Sequence, residues 1–416
     1  MVIQRDSYVQ KLAQRQNNKM IKIITGMRRV GKSYLLFNLF VDYLSKTGID
    51  NKHIIRVDFE SLYNLELRDP MKLLKYVDAL ITDENIYYLL FDEIQLLNQF
   101  EEVLNTFLKR DNIDVYVTGS NARFLSRDVI TTFRGRGDEV HVRPLSFAEY
   151  LNAKSNTSHE QALLEYMQYG GLPQIITMET PTQKEEYLKQ LFLNTYLIDI
   201  KERYKLRNDA DLEELIDVIA SSIGGLTNPL KIQKTFSSVK KSDITVNTIK
   251  TYIDLLQDAF LIERAVRYDI KGRKYIDTPS KYYFEDLGIR NARLNFRQTE
   301  QSHLMENLIY NELRLSGFSV DVGQVETFTT NSQGKRERHH LEVDFICNKG
   351  YERIYVQSAF AMPNDEKMQQ ELRSLRHIND SFQKVVIVGG LQPTYRNDDG
   401  ILIMNIFDFL INKKPF

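Results

Sequence analysis

The chain has 416 residues, enough for two or three domains of about 150 residues each. Its 55 lysines and arginines nearly cancel its 56 aspartates and glutamates, which excludes a molecule that binds nucleic acid by bulk charge and leaves only a local patch for that role. No stretch approaches the ~20 apolar residues of a membrane span, and Met1–Met20 lacks the apolar core of a signal peptide.

The first third alternates short apolar runs with amphipathic segments. Strands are expected at Ile21–Thr25, His53–Phe59, Ile86–Phe91, Asp114–Thr118 and Glu139–Val142. Helices are expected at Ser33–Ser45, Met71–Ile81 and Phe100–Leu108. Continuous apolar strands alternating with helices predict a parallel α/β sheet covered on both faces. Around Pro144 the pattern changes. The chain then reads as helical to about Arg207, broken at Gly170-Gly171-Leu172-Pro173, with another helix at Asp211–Ile223. Ile232–Val239 and Val246–Phe260 predict two helices across a polar turn, with Thr245 capping the second. Leu261–Tyr268 and Lys274–Ile276 predict a hairpin turning through Lys271-Gly272-Arg273, which completes a winged helix-turn-helix layout. After Arg297 an α/β block returns. It has a helix at Glu300–Ser316, strands at Leu341–Cys347, Arg353–Gln357 and Lys384–Val388, and a helix near Asp365–His377. Thr329–His340 is polar and basic and reads as a loop.

Gly26-Met27-Arg28-Arg29-Val30-Gly31-Lys32-Ser33 fits G-x4-G-K-[ST] at every fixed position, between a strand and a helix. The glycines let backbone N–H groups converge on phosphate oxygens. Lys32 neutralises the β- and γ-phosphates, the Ser33 hydroxyl ligates Mg²⁺, and the helix start turns its positive dipole end to the same charge. Tyr87–Glu93 is an apolar strand ending in two carboxylates. Asp92 is expected to hold the Mg²⁺ shell and Glu93 to polarise the attacking water. Together they imply ATP and Mg²⁺ as ligands; no N-K-x-D guanine reader occurs. At the end of the next strand, Thr118, Ser120 and Asn121 are open candidates for a γ-phosphate sensor, or for a helix cap. Arg134 and Arg136 are candidates for an arginine finger from a neighbouring subunit, which implies a homo-oligomer.

The Walker loop, Asp92-Glu93-Ile94-Gln95, Thr118-Gly119-Ser120 and Arg143–Tyr150 together resemble a prokaryotic AAA+ ATPase family with a C-terminal domain of unknown function. The resemblance continues through Gly170–Pro173, Lys281-Tyr282-Tyr283-Phe284 and Glu342-Val343-Asp344-Phe345, so it spans nearly the whole chain. It implies an AAA+ core, a winged helix and a degenerate restriction-endonuclease-like fold. The expected divisions are a P-loop AAA+ core at 1–146, a helical lid at 147–208, a winged-helix domain at 209–296 and the nuclease-like domain at 297–416.

Between Lys231 and Lys274, ten lysines and arginines face five acids. Asn247 and Lys250 on the second helix, with Lys271, Arg273 and Lys274 on the wing, are the candidate contacts to double-stranded DNA; a protein-packing role is the other reading. A nuclease of the restriction type needs a helix carboxylate, an aspartate and then E-x-K. Glu306 and Asp344 fit the first two, whereas Gln357 and Ala359 stand where glutamate and lysine are needed. Little or no nuclease activity is expected. The leading expectation is an ATPase that drives conformational change or assembly on DNA. The alternative is an ATP-dependent switch with slow turnover that binds a protein partner. The single cysteine, Cys347, cannot close an internal bridge, which fits a cytoplasmic protein.

Overall fold

The computed structural model describes residues 2–119, 135–154, 157–198, 200–201, 209–240, 243–297, 300–330 and 336–412. The chain divides into two compact units, Met1–Pro144 with Asp258–Phe260, and Leu145–Gln257 with Leu261–Phe416.

The first unit holds β1 (Ile21–Thr25), β2 (Ile54–Asp58), β3 (Tyr87–Asp92), β4 (Ile113–Thr118) and β5 (Gly137–His141). They form one parallel sheet in the order β2-β3-β4-β1-β5. Every residue of β1, β3 and β4 is buried, as continuous apolar strands require when both faces are covered. One face packs Ile23, Val57, Phe91 and Val117 against Leu73 and Val77 of helix Pro70–Leu80 and Leu104 and Phe107 of helix Phe100–Phe107. Asp69 caps the first of these helices by accepting from Lys72 N, and Pro70 sits where a missing N–H costs nothing. The helical stretch from Lys32 to Lys46 buries Leu36, Leu39 and Phe40, with the Phe40 ring 4.7 Å from that of Tyr116.

The second unit begins with helices Phe147–Ala153, His159–Tyr169 and Pro181–Leu191. The first and third start with reciprocal capping boxes at Ser146/Glu149 and Thr180/Gln183. The break at Gly170-Gly171 has a steric cause: a Cβ on Gly171 would lie 2.5 Å from the Leu145 carbonyl oxygen. Helix Pro229–Thr235 runs on through Phe236–Lys240, and helix Val246–Asp258 starts at Thr245, whose hydroxyl accepts from Thr248 N.

An eight-stranded sheet follows, made of β6 (Ile262–Asp269), β7 (Lys274–Phe284), β8 (Ser319–Thr330), β9 (Arg336–Lys349), β10 (Glu352–Ala359), β11 (Gln383–Val388), β12 (Tyr395–Arg396) and β13 (Leu402–Asn405). Its order is β12-β13-β11-β10-β9-β8-β6-β7. The hairpin expected as a wing thus continues this sheet, because β6 pairs in parallel with β8 from Arg267↔Val322 to Asp269↔Gln324. The polar stretch expected as a loop is corrected as well. β8 runs to Thr330 and β9 starts at Arg336, paired to each other along their full length. Backbone pairing carries these strands past the apolar core, and polar side chains suit ends that reach into water.

Helix Gln301–Leu315 packs against the sheet. Its Asn307 side chain accepts from Phe284 N and donates to Phe284 O, both at 2.8 Å. Its Glu312 carboxylate accepts from Phe147 N at 2.7 Å. Burial pushes the Glu312 carboxyl up to about 8, well above its ordinary 4.5. The folded state therefore keeps a proton that the unfolded chain releases near 4.5, so this group's contribution is full at low pH and is lost as pH rises toward 8. Glu312→Gln should flatten the fall in stability between those values by up to ~1.4 kcal/mol per pH unit. Urea unfolding of both proteins across that range checks it; equal slopes would mean that Glu312 is ionised in the fold.

Candidate nucleotide site

The loop from Gly26 to Ser33 leaves the C-terminal end of β1 and enters the helical stretch at Lys32. Its path needs glycine twice. Gly26 has φ +135°, and a Cβ there would lie 2.1 Å from the Val142 carbonyl oxygen. Gly31 has φ +93° at the helix N-cap. Met27 and Val30 are buried, Arg28 is half-buried, and Arg29 is exposed with φ +66°. Lys32 is buried, and its ammonium donates to the Gly26 and Met27 carbonyls at 2.9 and 3.1 Å.

β4 lies between β1 and β3, which brings Thr118 beside the acidic end of β3. The Thr118 hydroxyl donates to the Asp92 carboxylate and accepts from Glu93 N at 3.1 Å. Burial pushes the Asp92 carboxyl up, opposed by the hydrogen bonds from Thr118 and Ser33 and assisted by the nearby charges of Glu93 and Asp58. Glu93 is half-buried with left-handed backbone, φ +51°, and its carboxylate accepts from the Gln95 side-chain amide. The Ser33 hydroxyl lies near the Asp92 carboxylate, and both are hard oxygen donors of the kind that Mg²⁺ takes, so the residues present fit that ion.

Of the three open sensor candidates, Thr118 touches both acids at the end of β3, and Ser120 and Asn121 lie outside the described residues, as does Arg134. Arg136 is exposed, and its carbonyl accepts from Ile21 N at 2.8 Å. That places it at the N-terminal edge of β1, a strand's length from its own loop. Two residues were not legible in the sequence. Arg5 is buried, and its guanidinium donates to the carbonyls of Val30, Arg143 and Pro144 at 3.0–3.3 Å. No motif marks it. Asp58 pairs in register with Asp92, and its only signal is its place at a strand end.

Residues 18–151 match the model of an AAA domain, and residues 160–300 match a domain of unknown function (DUF8612). An uncharacterised protein of Haemophilus influenzae is 34% identical over 99% of both chains. The chain belongs to a prokaryotic AAA+ family with a C-terminal domain of unknown function. An uncharacterised protein of Methanocaldococcus jannaschii is 28% identical over 85% of this chain and 77% of its own. The solved ORC2 protein of Aeropyrum pernix, in ADPNP–ADP complexes, is 12% identical over 62% of this chain and 86% of that one, with a TM-score of 0.38, too slight a likeness to bear on function. The AAA+ assignment makes this a nucleotide-binding protein.

A second set of charged groups meets on the C-terminal sheet. The Lys281 ammonium, on β7, lies 2.9 Å from Glu306, 2.7 Å from Glu342 and 3.4 Å from Asp344. Those three carboxylates hold the ammonium charged far above its ordinary range although it is only 2% exposed. The Tyr283 hydroxyl donates to Glu306 at 2.7 Å, and Asp344 accepts from Ser358 N at 2.9 Å. Gln357 and Ala359 add neither carboxylate nor base; the Gln357 side chain lies 3.4 Å from Asp344 N and from Glu371. The candidate DNA contacts Asn247, Lys250, Lys271, Arg273 and Lys274 are all exposed, the first two at the start of helix Val246–Asp258 and the rest at the β6–β7 turn. No helix among the described residues is long and apolar enough to cross a membrane.

Lys281→Met would leave three carboxylates without the ammonium they surround. The expected cost is about 3–5 kcal/mol of folding stability, with partial recovery on adding Mn²⁺, which can replace the lost charge. Thermal unfolding with and without the ion reads both, and an unchanged melting temperature would show that the cluster is not held by Lys281.

Proposed function

We propose that the chain hydrolyses ATP with Mg²⁺ at the loop from Gly26 to Ser33, and couples turnover to conformational change or to assembly on DNA. The observation that carries this is the Thr118 hydroxyl, which joins the Asp92 carboxylate to the Glu93 backbone and so fixes both acids at one strand end. The Lys32 ammonium exchanges its two carbonyl partners for β- and γ-phosphate oxygens. Ser33 and Asp92 would hold Mg²⁺, which neutralises phosphate charge when bound. Glu93 orients the water that attacks the γ-phosphorus and takes its proton as the bond to the β-phosphate oxygen breaks. Arg136, remote from its own loop, would serve only as a finger on a neighbouring copy.

Phosphate release at saturating protein tests the assignment. Glu93→Gln should bind ATP and lose turnover by about 10²-fold or more, and wild-type turnover in this variant would remove Glu93 from the chemistry. Arg136→Ala at the wild-type rate would remove the finger.

The slow-switch reading has its own support in the Gln95 amide that engages the Glu93 carboxylate. On that reading a protein partner releases Glu93, and Gln95→Ala raises basal turnover severalfold; a fall or no change would count against it. For double-stranded DNA, the helix pair before β6 supplies Asn247 and Lys250 and the hairpin turn supplies Lys271, Arg273 and Lys274. The C-terminal cluster is read as having no nuclease chemistry, since Gln357 and Ala359 offer no base and Lys281 fills the space among the carboxylates.

A further inference from the structure

A cleft of about 930 Å³ opens within the second unit between the β6–β7 turn, the far end of β8–β9, the β9–β10 turn and the end of helix Asp365–Arg376. Five lysines and arginines line it against three carboxylates. One of those carboxylates, Glu326, is already engaged by Arg338 at 2.5 Å, and another, Asp380, accepts from the Tyr355 hydroxyl at 2.6 Å. Arg376 is engaged in turn by Asp399 at 2.6 Å, so four cations face Glu352 and the balance is positive.

The same walls expose aromatic rings that the core does not use. Tyr351, at the β9–β10 turn, is fully exposed, and Phe328 and Phe382 are each 42% exposed. Each phenylalanine is attended by cations. The Arg336 guanidinium lies 3.9 Å from the Phe328 ring centre, with the Lys271 ammonium at 6.0 Å, and Arg353 lies 5.5 Å from Phe382. Folding gains nothing from leaving these rings in water, so the pattern calls for a ligand with flat apolar faces and negative charges at short intervals.

We propose that this cleft binds single-stranded nucleic acid, with bases stacked on Phe328, Tyr351 and Phe382 and phosphates held by Lys271, Arg336 and Arg353. Ring faces reach bases only where the bases are unstacked, so a continuous duplex cannot use them. An acidic peptide would satisfy the cations but leave the rings without partners of their own kind. The proposal rests on the nucleic-acid part of the reading above and is independent of hydrolysis. It reassigns Lys271 from a duplex-reading wing to the wall of a single-strand cleft.

The test is fluorescence anisotropy of the full chain with labelled oligothymidylate, oligouridylate and duplex DNA of about 20 nucleotides per strand, at two salt concentrations. Both single strands should bind more tightly than the duplex. Tyr351→Ala and Phe328→Ala should each weaken single-strand binding about ten-fold. Tyr351 is wholly exposed, so misfolding cannot account for its effect. Arg336→Gln should lower the salt slope by about 0.7. Lys250→Glu should leave single-strand binding unchanged, and a loss of duplex binding alone in that variant separates the two surfaces. Wild-type affinity in both ring variants, tighter binding of duplex than of single strands by Lys250→Glu, or equal displacement by polyglutamate would overturn the proposal.

Discussion

The Thr118 hydroxyl donates to the Asp92 carboxylate and accepts from the Glu93 backbone N–H. That pair of bonds requires the strand order, because Thr118 meets Asp92 only when β4 lies beside β3. The same strand has β1 on its other side. The glycine loop and the acidic strand end are then two strand spacings apart, about 10 Å, and the Ser33 and Asp92 side chains reach toward each other across that gap. A sheet that paired β1 directly with β3 would crowd the two, and one that separated them further would part Ser33 from Asp92. The chemistry available at this site is thus a property of topology before it is a property of any one side chain.

What keeps β1 against β4 is partly an ion pair inside the sheet layer. Lys22 is fully buried and pairs with Asp114, which also accepts from the Tyr116 hydroxyl at 3.0 Å. Burial lowers the Lys22 ammonium below its ordinary range in spite of Asp114. A buried pair of this kind adds little net stability, since desolvation consumes most of the attraction. Its effect falls on alternatives: a one-residue slip of β1 would turn Lys22 away from Asp114 and leave two charges buried apart. Arg5 acts in the same sense from outside the sheet, joining the Val30 carbonyl of the loop to Arg143 and Pro144 at the end of the unit.

The loop was legible in the sequence because all of its requirements are local. Two glycines must take positive φ, a lysine and a serine must follow at once, and a strand and a helix must flank them. The five strands were legible because burial on both faces leaves continuous apolar runs. The contact of Thr118 with Asp92 was not legible, because it depends on which strand lies beside β3. Arg5 carries no local signature, since its partners are backbone carbonyls more than a hundred residues away or in the loop itself. The β8–β9 extension was misread as a loop for a related reason. Its residues are held by ladder bonds to each other, and their polar side chains, Thr329, Thr330 and Arg336 to His340, report water rather than disorder. Glu306 and Asp344 were found by their place on a helix and a strand, whereas Lys281 lies 25 residues before Glu306 and 63 before Asp344, beyond any spacing rule.

The two buried lysines at the two candidate sites show how environment decides what a cation can do. Lys32 donates to two carbonyl oxygens, which are neutral dipoles. A phosphate oxygen would offer the same geometry with a full negative charge, so under the proposed function exchange from carbonyl to phosphate would be downhill. Lys281 lies among three carboxylates that raise its hold on the proton. No phosphate improves on that arrangement, and departure of the ammonium would leave Glu306, Glu342 and Asp344 repelling one another, the first and last of them with little access to water. The first lysine is therefore positioned to respond to a ligand and the second to exclude one, although both are buried cations on α/β scaffolds.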